Sequence, residues 1–230
     1  MFTLTPEELT AVLLSLKVAF VATLASLPFG VAVAWLLARK DFPGKALLDA
    51  VVHLPLIIPP VVTGYLLLLL FGKRGLFGGF LADTFGIVFA FRWTGAALAC
   101  AVMGFPLLVR AIRLSMEAVD PKLEAAGRTL GAHPALVFLT VTLPLSLPGI
   151  LAGIVLSFAR AFGEFGATIT FVSNIPGETQ TLPTAIYSFI QVPDGDAMAL
   201  RLTAISIAIA AVALILSELL ARRSSKRLLG

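Results

Sequence analysis

Few side chains in this chain could do chemistry away from water. Arg160 and Glu164 lie four residues apart at the end of an apolar run, so on a helix they share a face and can pair. Either Arg160 lines the outer mouth of a path and offers positive charge to an anion, or Glu164 simply satisfies it. His53 and Lys17 are the other ionisable groups within apolar runs. His53 has the setting of a hydrogen-bonded interior residue rather than a ligand, and Lys17 is expected to snorkel toward the nearer interface. No nucleophile–base pair, metal-spaced Cys/His set or G-x-x-x-x-G-K-[ST] loop is present, so catalytic residues, bound metal and cofactors are expected to be none in this chain. Cys100, the one cysteine, excludes an internal disulfide and reads as a small packing residue. A proton- or sodium-coupled carrier places ionisable groups deep inside its spans, and these spans have almost none. An energy source outside the chain is the expectation.

Two proline elements echo each other: Leu54-Pro55-Leu56-Ile57-Ile58-Pro59-Pro60 and Leu143-Pro144-Leu145-Ser146-Leu147-Pro148-Gly149 both read L-P-L-x-x-P. Each proline removes a helical hydrogen bond and frees a carbonyl, which in hydrocarbon must face protein or a wet cavity. Paired broken spans point to a translocation path. Pro55, Pro59, Pro60, Pro148, Gly149, Arg160 and Glu164 are therefore the candidate gate and path residues; simple bending is the blander reading. Freed carbonyls have the wrong sign to hold an anion, so these kinks suit gates. Gly149 and Gly153 form a G-x-x-x-G that suits close helix packing.

The elements that must position these residues are membrane spans. Of 230 residues, 59% are hydrophobic and 13% charged, more apolar surface than a soluble domain of this size can bury. The mean hydropathy of +1.01 agrees. The expected fold is an all-α polytopic helical bundle of five spans, with a sixth, short span inside 163–192 as the competitor. The first span covers about 6–38, opened by a Thr5–Glu8 capping box with Pro6 at the first helical position and kinked at Pro28. The others cover about 46–71, 93–112, 135–162 and 202–220, with Gly72 to Arg92 as a Gly-rich connector. One transmembrane domain over 8–221 and a basic tail over 222–230 follow. Lys and Arg concentrate in 39–45, 110–128 and 222–227, whereas the loop from Ala161 to Leu200 has none. By the positive-inside rule the N-terminus is outside and the C-terminus cytoplasmic, with Lys73, Arg74 and Arg92 as exceptions. The charge of +4 thus reports topology in a lipid membrane, not nucleic-acid binding.

Between the third and fourth spans lies a polar helix. Asp120 is a capping residue, Pro121 suits the first helical position, and Gly131 is where a left-handed residue ends the helix. At about ten residues, or ~15 Å, it is too short to cross a bilayer and must lie on its cytoplasmic surface. The candidate coupling residues are Asp120, Pro121, Glu124, Ala125, Ala126, Gly131, Leu143 and Pro144.

This stretch resembles the cytoplasmic loop of ABC-importer permeases, E-A-A-x3-G-x9-I-x-L-P. From Gly131, nine residues reach Thr140, and Val141-Thr142-Leu143-Pro144 completes the match with Val for Ile. The family spacing puts the acidic residue at Ala125; Glu124 lies one place early, an offset of about 100° around a helix. The run Phe158-Ala159-Arg160-Ala161-Phe162-Gly163-Glu164-Phe165-Gly166-Ala167-Thr168 is similar to permeases for sulfate and molybdate. Its continuation to Thr179, with the run from His53 to Val62, looks like molybdate permeases in particular. The resemblance implies a homodimer, two cytoplasmic ATP-binding subunits carrying ATP and Mg, and an external molybdate-binding protein. Molybdate import by alternating access, with tungstate as co-substrate, is the leading expectation. Sulfate or thiosulfate import and an ion-coupled secondary carrier are the alternatives.

Overall fold

The structure is a computed structural model. It describes the backbone of residues 4–229 and the side chains as far as Leu216. The basic side chains of the expected tail therefore lie outside the described residues.

Among the described residues the chain is helical throughout, with no strand. Helix α1 (Pro6–Arg39) is capped by Thr5 and Glu8 in a reciprocal capping box and runs unbroken through Pro28. Its buried positions, among them Ala11, Ser15, Val18, Ala22, Ser26, Gly30, Ala34 and Leu37, trace one stripe at helical spacing. Phe20, Leu24 and Phe29 point outward. That pattern inverts a soluble helix. Lipid is as apolar as leucine, so helices associate through close packing, which favours small residues inside.

The second span is two helices, α2 (Lys45–Ile57) and α3 (Pro60–Phe71), bent by 115°. Helix α4 (Leu76–Phe85) follows within what the sequence presents as a connector. Its glycines hid it: Gly78 sits where any side chain would strike the Phe71 and Gly72 carbonyls. Helix α5 (Trp93–Glu117) is the third span, continuing past Ile112. After the surface helix α6 (Pro121–Thr129) comes α7 (Pro134–Val137), a π turn (Phe138–Thr142), the single turn α8 (Leu143–Leu145) and α9 (Leu147–Phe162). The fourth span bends by 68° between α8 and α9. Two short helices, α10 (Gly166–Val172) and α11 (Leu182–Phe189), then precede α12 (Asp196–Leu229).

Among the described residues, three helices are long and apolar enough to cross a membrane, and up to five spans result if each bent pair counts once. Neither α10 nor α11 approaches the ~20 residues a crossing needs, so the segment 163–192 holds no sixth span. The early halves of α1 and α5 share one buried cluster and their late halves another, so the two helices run in the same direction. Helix α9 runs against them, with Ile150 beside Met116 and Ala161 accepting from the Cys100 thiol at 3.4 Å. A small-residue seam joins α9 to α5: a Cβ on Gly149 would lie 2.1 Å from the Ser115 Cβ, and one on Gly153 3.1 Å from the Leu108 carbonyl. Gly104 faces Ser157 in the same way. At the opposite end, Arg201 at the start of α12 donates to the buried Glu8 carboxylate at 3.0 and 2.9 Å, tying the last helix to the first.

Candidate functional site

One end of the bundle carries α6. Asp120 caps it, its side chain accepting from the Lys122 amide at 2.9 Å, with Pro121 in the first turn. Its far end closes as a Schellman motif: Gly131, at φ +85°, donates to the Arg128 carbonyl and Ala132 to the Gly127 carbonyl. Sequence pattern and backbone geometry agree here residue by residue. Pro121, Lys122, Leu123, Ala125 and Ala126 are exposed, and Leu130 is 88% exposed.

Glu124 faces the other way. It is buried, and its Oε1 accepts from Arg39 Nε at 2.9 Å and from Thr142 Oγ1 at 2.8 Å. Arg39 also donates to the Val119 carbonyl at 3.0 Å. The one-residue offset seen in the sequence therefore has a structural counterpart: Glu124 clamps α6 to the end of α1 and to the π turn, while Ala125 and Ala126 occupy the outward face. Leu143 and Pro144 lie in α8 at the foot of the fourth span, half-buried and exposed respectively. A second polar group lies nearby on α2 and α5, where Arg113 bridges Asp49 at 3.0 Å and Glu117 at 2.8 Å. His53 Nδ1 sits 2.9 Å from the Asp49 carbonyl, in a local hydrogen-bonding role.

The two proline elements mark the two bends. In the first, Pro55 lies inside α2, and the chain breaks at Ile58 before Pro59 and Pro60 restart it. In the second, the break falls at Ser146, between Pro144 and Pro148. Gly149 lies at this bend but is occupied by packing against Ser115 and the Ala111 carbonyl. Beside the first bend lies α10. A Cβ on Gly64 would lie 2.5 Å from the Ala167 carbonyl, and one on Gly166 2.8 Å from Pro60. Helix α10 therefore packs along the start of α3, just past the bend.

Arg160 and Glu164 belong to this junction. They form an ion pair across one helical turn, with Glu164 buried and Arg160 about a quarter exposed. The other oxygen of Glu164 accepts from the Ala167 amide at 2.8 Å, fixing the start of α10. Glu164 thus satisfies Arg160, and Arg160 keeps an accessible edge. Lys17 stacks over the Trp93 ring at 3.6 Å. Arg39 and Thr142 are the participants the sequence did not single out; Arg39 stood only as a topology signal in a basic turn. Among the described residues, no three His, Cys, Asp or Glu side chains converge as metal ligands.

A polytopic bundle with a capped surface helix at one end and two proline-broken spans is a membrane transport permease in architecture. The chain belongs to the family of binding-protein-dependent transport system inner membrane components, whose pattern matches residues 26–226. It is 64% identical over 224 residues to the molybdenum transport system permease protein ModB of Escherichia coli (strain K12), covering 97% of this chain and 98% of that one. It is 37% identical over 226 residues to the sulfate transport system permease protein CysT of Salmonella typhimurium, covering 98% of this chain and 80% of the relative. The solved MetNI methionine ABC transporter in inward-facing conformations shares the fold at a TM-score of 0.71 and 16% identity, over 93% of this chain and 94% of that one.

Proposed function

We propose that this chain is the membrane permease of an ATP-driven importer that carries molybdate, and with it tungstate, by alternating access. The observation that carries the reading is the near-complete match to a molybdenum permease at 64% identity, against 37% for a sulfate permease over as much of the chain. Two copies of the chain enclose the path, two cytoplasmic subunits hydrolyse ATP with Mg, and an external binding protein delivers the anion. The face bearing α6 is cytoplasmic, which puts the N-terminus outside and the C-terminus inside. In this arrangement the outward face of α6 meets the ATPase, and the Glu124 clamp passes its movement to α1 and the fourth span. The proline breaks are where the spans flex, and Arg160 offers a positive edge near the first of them, at Ile58.

Uptake of labelled molybdate into vesicles containing the permease, its ATPase and the binding protein tests the proposal. Uptake should require ATP, survive collapse of the ion gradients, and be competed by tungstate far better than by sulfate. Equal competition by sulfate would move the cargo to the sulfate class. Uptake without the ATPase would overturn the mechanism.

A further inference from the structure

The α6 end of the bundle carries a cavity of about 450 Å³ between the end of α1, α6 and α7. Its polar wall holds Arg39, Lys40, Glu124 and Arg128. A second cleft of about 410 Å³ adjoins it and shares Trp35, Pro134 and Phe138 with it. This second cleft is lined otherwise by Pro28, Val31, Ala32 and Ala135, with no charged group. Trp35 and Phe138, edge to face with centroids 5.9 Å apart, stand where the two spaces meet. The two spaces lie side by side along α1 with these residues as their shared wall, forming a groove that is charged at the end of α1 and apolar from Trp35 back to Pro28. Seven residues of helix make that apolar stretch about 10 Å long.

The charges in the polar half do not cancel. Glu124 is consumed by Arg39 and Thr142, and Arg39 also by the Val119 carbonyl. Arg128 is 60% exposed and stands 3.7 Å from Glu124, and Lys40 rests 5.6 Å from the Trp35 centroid. Among the described residues Lys40 has no carboxylate within ion-pair distance. Three cations, Arg39, Lys40 and Arg128, thus share the single carboxylate of Glu124, and the groove keeps a net positive charge. A tryptophan one turn before an Arg-Lys pair at the end of a span marks the membrane–water interface. The groove therefore crosses from headgroup depth into hydrocarbon.

We propose that this groove is a binding site for an anionic phospholipid, its phosphate headgroup against Lys40 and Arg128 and an acyl chain between α1 and α7. A soluble anion would leave the apolar half unfilled, and a polypeptide from the aqueous side would have to enter the bilayer to fill it. Basic pockets at the ends of membrane helices recognise such headgroups by charge. A lipid seated here joins α1 to α6, the same two elements that the Arg39–Glu124 pair clamps.

Fluorescence of Trp35 reads the site directly. The chain has two tryptophans, so Trp93→Phe leaves Trp35 as the reporter. The full-length protein is placed in phosphatidylcholine vesicles containing phosphatidylglycerol or phosphatidylcholine with brominated, quenching acyl chains. Brominated phosphatidylglycerol should quench Trp35 at a several-fold lower mole fraction. Lys40→Gln and Arg128→Gln should each weaken that preference about fivefold at low ionic strength. Equal quenching by the two lipids would overturn the proposal. The same preference at Trp93, read in Trp35→Phe, would reduce it to general enrichment of anionic lipid around a basic protein and overturn it too. Loss of the preference with inorganic phosphate, but not with sodium chloride of equal ionic strength, would make the groove a free-anion site instead. Native mass spectrometry of the unsubstituted chain, which should retain phosphatidylglycerol through detergent exchange, checks the result without any tryptophan change; complete loss there counts against the site. Neither readout needs cargo or ATP, so the outcome is separate from that of the transport reading.

Discussion

Replacing Glu124 tests the clamp between α6 and the bundle. The Arg39–Glu124 contact is 2.9 Å, with side-chain exposures of 13% and 9%. At an effective dielectric near 20, Coulomb attraction at this distance is about 6 kcal/mol before desolvation is subtracted. Breaking one side of such a buried pair costs about 3 kcal/mol, because the surviving charge stays buried without its partner. Glu124→Ala strands two groups, the Arg39 guanidinium and the Thr142 hydroxyl, whereas Glu124→Gln keeps an acceptor for each. The alanine variant should therefore lose about 3 kcal/mol and the glutamine variant roughly half of that. A double-mutant cycle with Arg39→Gln, followed by reversible unfolding in mixed detergent micelles, separates the pair from its surroundings. A coupling of about 1–2 kcal/mol is expected. Additive losses, with no coupling between the two positions, would refute the clamp. A glutamine variant as damaged as alanine would show that charge, not hydrogen-bond geometry, carries the clamp.

Other perturbations follow from the same contacts. Gly131→Val forces a β-branched residue into the left-handed conformation at φ +85°. It should raise the ATP hydrolysed per anion transported, and an unchanged ratio in reconstituted vesicles would show that the α6 cap is not part of coupling. Gly149→Ala drives a methyl group into Ser115 and should cost about 1–3 kcal/mol of stability in thermal unfolding; wild-type stability would mean that the α5–α9 seam yields easily. Arg160→Ala leaves Glu164 buried without its counter-charge, so loss of protein and loss of function are confounded. Arg160→Ala with Glu164→Gln should restore yield on size-exclusion chromatography while transport stays impaired; restored transport would make Arg160 purely structural.

Local signals in the sequence were enough wherever one element decides its own shape. Asp120, Pro121 and Gly131 are chemically committed to the two ends of α6, and the capping box at Thr5 and Glu8 to the start of α1. The prolines likewise locate both bends to within a few residues. The angles were not legible. No local signal carries the 115° at Ile58, and α10, which packs against Pro60 and Gly64 just past it, lies more than one hundred residues further along the chain. The partners of the charged groups are equally distant: Arg39 meets Glu124, Arg201 meets Glu8, and Lys17 finds the Trp93 ring. A sequence shows that a carboxylate near lipid needs a counter-charge, and only the fold chooses which. Helix α4 escaped notice, and α10 and α11 were legible only as a possible short span inside 163–192, because all three are too short to show a clear period against apolar, Gly- and Pro-bearing surroundings.

The contact between α5 and α9 has a mechanical consequence. With Gly149, Gly153 and Ser157 set against Ser115, Leu108 and Gly104, the two backbones touch almost without intervening side chains. Sliding one past the other by a helical turn would bring bulky groups into a gap that admits none. A seam packed this closely resists shear, so displacing either helix along the other requires the two backbones to part first.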